Sequence, residues 1–456
     1  MLFEPKQNTR IDRVYILKIE NDKSLYNIMA NIIRLPTGTQ DYEGEQYEKL
    51  EYLKASITDI FRKFKGEMIE TPVFELTDLF TKKYGEEEKL IYNIRSRNDD
   101  NSGTDGKEDL SLRYDMTMPL VRYCATNNKT NFRRACIGKV YRRETTNKTQ
   151  LRLREFYQAD FDYVGEYNEF VPEIEIFIMI QQLMKKINID NYQILYNYRQ
   201  NLDYWVKYSD IDNANFSSVC SSIDKLDKKS QEFVRDELRQ KKCTNMQISK
   251  LFAFLNAPKS MSPDMAELDG RFWNMINLYG VLDTTKIIFT PTLARGLDYY
   301  TGIIFEVKLT ECDMLCSVSG GGRYDNLLSR GRKQTPLIGF SFGIDRLLPY
   351  VVLPEKKACV KKIWVSTIEK FDNAIEIKLR IVGQLIAKNY SVYYDLNTRK
   401  FGKELREAIV CGCSYIVIVG ETEAKNNMAL IKDIKNKTQA SVSIDDVCDY
   451  IDANYC

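Results

Sequence analysis

Phe132-Arg-Arg-Ala-Cys-Ile-Gly-Lys-Val-Tyr-Arg-Arg-Glu-Thr-Thr-Asn-Lys-Thr-Gln-Leu-Arg-Leu-Arg154 runs straight into Glu155-Phe-Tyr-Gln-Ala-Asp-Phe-Asp-Tyr163. The first 23 residues carry Arg133, Arg134, Lys139, Arg142, Arg143, Lys148, Arg152 and Arg154 against a single acid, Glu144. The whole chain balances 66 Lys plus Arg against 64 Asp plus Glu, so such a cluster points to a local polyanion partner. A solvated charged hairpin is the alternative. Strand parity argues for the partner. If Arg152 to Tyr163 is a strand, Arg152, Arg154, Phe156, Gln158, Asp160 and Asp162 share one face. Leu153, Glu155, Tyr157, Ala159, Phe161 and Tyr163 share the other. The first face grades from cations through a ring and an amide to two acids. It can hold a phosphate at one end, a flat ring in the middle and an N–H-bearing group at the other.

Upstream, Arg34-Leu-Pro-Thr-Gly-Thr-Gln-Asp-Tyr42 marks a turn at Pro36 and Gly38. Leu50, Leu53, Ile57, Ile60, Phe61 and Phe64 then recur at helical spacing. Met68-Ile-Glu-Thr-Pro72 reads as a strand stopped by proline, and residues 96–109 as a polar loop. Downstream, residues 200–275 turn charged and helical, which predicts an insertion. Strand patterns return at Ile287-Ile-Phe289 and Ile303-Ile-Phe-Glu-Val307. After a polar linker near 354–362, the apolar runs Ile363-Trp-Val365, Ser391-Val-Tyr-Tyr394 and Tyr415-Ile-Val-Ile-Val419 alternate with helical stretches, predicting a small α/β domain.

Three further segments carry candidate chemistry. Leu293-Ala-Arg-Gly-Leu-Asp-Tyr-Tyr-Thr-Gly302 offers Arg295 as a bidentate anion donor beside Tyr299 and Tyr300. Gly320-Gly-Gly-Arg-Tyr-Asp325 permits close backbone approach, although a glycine run can equally be a bend. Pro336-Leu-Ile-Gly-Phe-Ser-Phe-Gly-Ile-Asp-Arg-Leu347 ends a small-residue strand with Arg346 at a helix start. Neither common nucleotide-binding glycine loop occurs.

Composition removes other chemistries. The chain of 456 residues, about three domains' worth at roughly 150 residues each, contains no histidine. That excludes a Ser-His-Asp triad, a Cys-His dyad and any His-ligated metal. The 11 cysteines lack a Cys-x-x-Cys pair and read as reduced core thiols. No apolar run approaches the roughly 18 residues of a membrane span, and the acid-containing N-terminus disfavours a secretory or transit leader. A cytoplasmic location and no membrane partner are expected.

On Leu293 to Gly302 with Ser319 to Asp325, the chain resembles the histidyl-tRNA synthetases, a family of class II aminoacyl-tRNA synthetases. Thr71-Pro-Val-Phe-Glu-Leu76, Lys89-Leu-Ile-Tyr92 and Cys220-Ser-Ser-Ile-Asp-Lys-Leu-Asp-Lys228 are similar to the eukaryotic cytosolic branch. The likeness runs from about residue 34 to the C-terminus. It implies an α/β (α+β) fold: an antiparallel class II sheet flanked by helices, with a helical insertion and a C-terminal α/β anticodon-binding domain. The expected divisions are an extension at 1–33, catalytic parts at 34–199 and 276–353, the insertion at 200–275 and the anticodon-binding domain at 358–456.

The resemblance also implies roles. Asp115, Thr117 and Gln158 would hold the histidine α-amino group. Arg142 would grip the ATP α-phosphate and the amino-acid carboxylate, with Arg295 as a second α-phosphate arginine. Glu144 would meet the adenine edge, Phe156 would stack on the ring, and Arg346 would cover its other face. Asp162, Tyr299 and Tyr300 would line the imidazole pocket, and Arg152 would lie near ATP and the tRNA acceptor end. Pro72 would sit at a homodimer interface. The implied substrates are L-histidine, ATP with Mg²⁺, and tRNA(His). Arg399, Lys400, Lys403 and Arg406, clustered near a helix start, would read its anticodon, with a solvated helix face as the alternative. A synthetase-like regulatory or tRNA-sensing paralogue and a different class II synthetase are the rivals; the first tends to lose these arginines and signature residues, and Leu293 to Gly302 disfavours the second.

The missing histidine has two readings, compositional drift and selection. As a hypothesis, a chain that supplies histidyl-tRNA gains by being translatable when that product is scarce. Equal yields of this chain and a histidine-containing variant under histidine limitation would count against it.

Overall fold

The computed structural model describes residues 34–454, apart from 81–84, 95–108, 148–150, 213–214, 258–260, 295–298, 311–316, 331–332, 355–361, 369–370 and 397–399. The polar loop at 96–109, the linker, Lys148, Arg295, Arg399 and the extension at 1–33 therefore lie wholly or mostly outside the described residues. The chain divides into two compact units, meeting at Val352 and Leu353.

The first unit is built on an eight-stranded sheet: β1 (Glu67–Met68), β2 (Phe132–Tyr141), β3 (Glu155–Val164), β4 (Tyr192–Tyr198), β5 (Ile287–Phe289), β6 (Ile303–Leu309), β7 (Ser317–Arg323) and β8 (Leu337–Gly343). Their spatial order is β1-β2-β3-β8-β7-β6-β4-β5. The six central strands are antiparallel, and the short β1 and β5 lie parallel to their neighbours at the two edges. The expected antiparallel sheet flanked by helices is present.

The quoted stretch supplies the β2–β3 hairpin. Strand β3 starts at Glu155, so Arg152 and Arg154 precede it; from Phe156 onward the predicted alternation holds. One face of β3 packs Ala159, Phe161 and Tyr163 into the main core. Helix α1 (Gly44–Lys63) delivers Leu50, Leu53, Ile57, Ile60 and Phe61 to that core, and Phe64, which caps the helix, packs partly buried against it, so the whole predicted periodic set faces the core. Glu45 in its first turn and Arg62 and Lys63 in its last complement the helix dipole. The Phe61 and Phe161 rings meet at 5.1 Å. With Asp115 at its start, α2 (Thr117–Asn127) follows. The long α3 (Val171–Lys186), begun by Pro172, covers the same core.

The predicted insertion is helical: α4 (Arg199–Tyr208), α5 (Phe216–Ile223), α6 (Gln231–Gln240), α7 (Asn245–Asn256) and α8 (Pro263–Tyr279). Ser230, Thr244 and Ser262 cap the last three, each accepting a backbone N–H three residues on. Leu202, Trp205, Val219, Leu238 and Phe252 join Leu293, Tyr300, Ile304 and Tyr324 in a second core on the other side of the sheet. Helix α9 (Ile344–Leu347) directly continues β8 and carries Arg346.

The second unit holds β9 (Lys362–Thr367), β10 (Ser391–Tyr394), β11 (Tyr415–Val419), β12 (Met428–Asp433) and β13 (Gln439–Ser443), ordered β10-β9-β11-β12-β13. The three strands expected from the sequence are parallel, with α10 (Ala374–Ala387) and α11 (Phe401–Val410) between them. The antiparallel β12 and β13 were not expected; their half-buried alternation is weaker than the continuous apolar run of β11.

Candidate active site

A cavity of about 340 Å³ opens on the polar face of the sheet. Arg142, Glu144, Arg152, Phe156, Gln158 and Arg346 all line it, so six of the predicted residues from three separate segments converge. Arg142 follows β2 directly. Its Nε donates to the Tyr114 carbonyl at 3.0 Å, and its guanidinium lies 4.4 Å from the Tyr114 ring centre and 5.3 Å from that of Phe156. Two aromatic rings thus hold a guanidinium, the planar donor group suited to anion recognition, at the cavity wall. Arg152 pairs with Glu144 at 3.2 Å beside the cavity. Arg346 donates from Nη1 to the Ser317 carbonyl at 2.7 Å, fixing its side chain against β7.

Beyond Gln158 the same face of β3 leads into a buried acidic region. Asp162 accepts from Arg134 Nη1 at 2.8 Å and from the Tyr324 hydroxyl. Tyr324 in turn touches Tyr299 and Tyr300, with ring centres 5.6 and 6.3 Å away. Asp162 and the tyrosine pair are therefore gathered into one cluster, with the Tyr324 phenol on the carboxylate. Asp115 Oδ1 accepts the backbone N–H groups of Thr117 at 3.0 Å and Met118 at 3.1 Å, so it also caps α2. Gly339 faces Asp162 in the strand register, and a side-chain carbon there would meet the Asp162 carboxylate and lie 2.6 Å from the Tyr324 hydroxyl. At Gly322 one would lie 2.8 Å from the Tyr300 ring. The glycines thus make room for the aromatic and acidic side chains of this cluster.

Burial dominates the electrostatics. It raises the Asp162 carboxyl above its usual range, against the pull of Arg134 and the Tyr324 hydrogen bond. It raises Asp345 as well, although the Tyr42 hydroxyl and the Tyr157 N–H oppose it.

Not all of the basic cluster faces the cavity. Arg133 turns to Glu175 at 3.2 Å, Arg134 to Asp162, and Lys139 to Glu155 at 2.6 Å. Arg154 donates to the Glu144 carbonyl. Among the described residues Arg142 and Arg152 are the members that line the cavity, a smaller set than the charge count suggested.

Sequence reasoning missed the roles of Arg134, Tyr324 and Asp345. Arg134 lies opposite Asp162 in the hairpin, which knowledge of the register would have revealed. Asp345 lines the cavity beside Arg346, accepting from Gln40 Nε2 at 2.8 Å, from the Tyr42 hydroxyl and from the Tyr157 N–H at 2.6 Å. It ties the Pro36–Gly38 turn region to the site. Adjacency to Arg346 was the available signal.

A family model described as Histidyl-tRNA synthetase matches residues 38–347, and one described as Anticodon binding domain matches 361–454. The chain is 35% identical over 439 residues to the cytoplasmic histidine–tRNA ligase of Dictyostelium discoideum, covering 90% of this chain and 88% of that one. It is 32% identical over 463 residues to the cytoplasmic histidine–tRNA ligase of Takifugu rubripes, covering 90% and 86%. The crystal structure of histidyl-tRNA synthetase from Nostoc sp. PCC 7120 shares the fold, with TM-score 0.69 at 22% identity over 92% of this chain and 99% of that one.

Proposed function

The chain belongs to the histidyl-tRNA synthetase family, and from that premise we propose that it activates L-histidine with ATP and transfers the histidyl group to the 3′ end of tRNA(His). One observation carries the reading at the level of residues. Arg142, stacked between Tyr114 and Phe156, shares a cavity with Gln158 and Arg346, and the same strand continues into the buried Asp162 cluster.

The chemistry needs no imidazole. The histidine carboxylate is ionised at neutral pH and attacks the α-phosphorus directly. A carboxylate–phosphorus bond forms, the bond to the β-phosphate oxygen breaks, and pyrophosphate leaves with the electron pair. The barrier is repulsion between two anions, which Arg142 and Arg295 offset by stabilising charge that develops on the α-phosphate. Phe156 supplies a stacking face for adenine, Glu144 a hydrogen-bond acceptor at its edge, and Arg346 a second face. Arg152, on the cavity wall, would meet the acceptor end of tRNA. The terminal ribose hydroxyl then attacks the adenylate carbonyl carbon, its proton passes to a phosphate oxygen of the adenylate, the bond from that carbon to the phosphate oxygen breaks, and AMP departs.

Among the described residues no three metal-ligating side chains converge. Mg²⁺ tolerates such a site, because it keeps several waters and takes most of its shell from nucleotide phosphates. Asp224, Asp227 and Glu306 are carboxylates on the cavity wall that could complete that shell. Bound there, the ion would neutralise the outer phosphates.

Asp162, Tyr299 and Tyr300, with Tyr324, form the imidazole subsite in this reading. Buried polar groups left unpaired by another side chain reject it by roughly 10⁴–10⁵-fold without editing. Asp115, Thr117 and Gln158 would hold the α-ammonium. Residues 361–454 would read the anticodon through Lys400, Lys403 and Arg406 around the start of α11, with Arg399 just outside the described residues. Exposed Met68, Val73, Phe74 and Leu76 surround Pro72 and support a homodimer, since such an apolar group seeks a partner. The relatives' names favour a cytoplasmic location. No helix among the described residues is long and apolar enough to cross a membrane.

Amino-acid-dependent ATP–pyrophosphate exchange across the standard amino acids, followed by tRNA charging, tests the proposal. Histidine alone should support exchange; preference for any other amino acid would overturn it.

A further inference from the structure

Along β3, Phe156, Gln158, Asp160 and Asp162 point to the same side of the sheet. Asp162 is fully engaged by Arg134 and Tyr324. Asp160 is not. It is 4% exposed, its Oδ2 stands 3.6 Å from Arg134 Nη1, and its Oδ1 has no hydrogen-bond partner among the described residues. Gln158 Oε1, two residues away, is likewise buried and without a partner among the described residues, while Ser341, which pairs with Asp160 in the β3–β8 register, turns its hydroxyl toward the Asp160 carboxyl. Gln158 and Ser341 both line the cavity. Two open acceptors thus stand side by side on the strand that joins the nucleotide end of the site to its acidic end.

The charge is as incomplete as the hydrogen bonding. Asp160 and Asp162 share one guanidinium, and Asp115 is buried close enough to add its field. Burial raises the Asp160 carboxyl, Arg134 pulls it down, Asp162 pushes it up again, and the Ser341 hydroxyl offsets part of that rise. Such a site favours a cation with several N–H groups, and an ammonium carries three donors. The order along β3 matches the connectivity of an amino acid: carboxylate toward Arg142, ammonium in the middle, side chain toward Asp162.

Resting on the proposed function, we propose that Asp160 is a further binding residue of the amino-acid subsite, accepting an N–H of the substrate α-ammonium at Oδ1 jointly with Gln158. Substrate then supplies the counter-charge that the fold withholds. Asp115, already capping α2, does not carry the ammonium alone.

The test is Asp160→Asn, nearly isosteric and one negative charge fewer, in the full-length enzyme. The parent's histidine-dependent exchange is the baseline, and its absence would sink the functional reading rather than this one. The KM for histidine should rise roughly 10–100-fold, as expected for one charge-assisted hydrogen bond, while the KM for ATP stays within about twofold. As competitive inhibitors, histidinol, which keeps the ammonium, should weaken by a similar factor, and imidazolepropionate, which lacks it, should not. An unchanged histidine KM, or equal weakening of both inhibitors, overturns the proposal. Thermal melting decides the remaining case: Tm should match or exceed the parent's, and a fall of about 10 °C or more would show Asp160 to be the structural counter-ion of Arg134 instead.

Discussion

Arg134 and Asp162 face each other across the β2–β3 hairpin, with Nη1 2.8 Å from Oδ2 and both side chains buried. Arg134 also donates from Nη2 to the Met116 carbonyl at 2.9 Å, so one side chain ties the hairpin to the start of α2 and hence to Asp115. Removing one member of a buried pair leaves a desolvated charge behind, a larger loss than the pair's own net worth. Arg134→Met should therefore lower stability by about 3–5 kcal/mol, read from urea unfolding. A change below 1 kcal/mol would mean that the cluster is solvated.

Gly339→Ala should fold yet lose histidine selectivity. Its new carbon would meet the Asp162 carboxylate and crowd the Tyr324 hydroxyl, displacing the acidic cluster while leaving the ATP-lining residues in place. The KM for histidine in pyrophosphate exchange should rise by more than tenfold, with the KM for ATP little changed. Parent-like values for both would contradict the crowding.

Arg142→Ala should reduce the exchange rate constant by roughly 10²–10³-fold, the usual cost of removing a positioned charge donor. Arg142→Lys should restore little, because an ammonium cannot reproduce a planar fork stacked between Tyr114 and Phe156. Substantial recovery with lysine would reduce the role to point charge alone. The same loss is expected for Arg295→Ala, and near-normal exchange in that variant would remove it from the mechanism.

Acid sensitivity should arise partly in the helical insertion. Glu237 accepts hydrogen bonds from Lys225 at 2.7 Å and from the Ser222 hydroxyl at 2.8 Å, and pairs with Lys241 at 3.0 Å. Burial pushes its carboxyl up, but these partners outweigh that and hold it at about 2 against an ordinary 4.5. A carboxyl depressed in the folded state stabilises fully above its unfolded value, and the benefit is lost as pH falls from 4.5 toward 2. Glu237→Gln should flatten the decline of stability over that interval, as measured by urea unfolding at stepped pH. An unchanged slope would rule out this contribution.

The sequence determined the local elements and most of the residues that carry charge to the site. Period-two alternation from Phe156 to Asp162 identifies the working strand, helical spacing from Leu50 to Phe64 identifies α1, and the absence of histidine removes imidazole chemistry of the chain's own. These features are set by side-chain direction along a single segment, which neighbouring residues suffice to specify. Only the tertiary structure decided which cations are spent inside the fold, that the Tyr324 phenol reaches Asp162, that Asp345 anchors the N-terminal turn region, and that Asp160 keeps an open oxygen. Each depends on register between segments distant in sequence, as with Arg134 opposite Asp162 and Ser341 opposite Asp160. A one-residue slip would turn every one of those side chains to the other face of the sheet, and the burial of Ala159, Phe161 and Tyr163 against α1 is what forbids it.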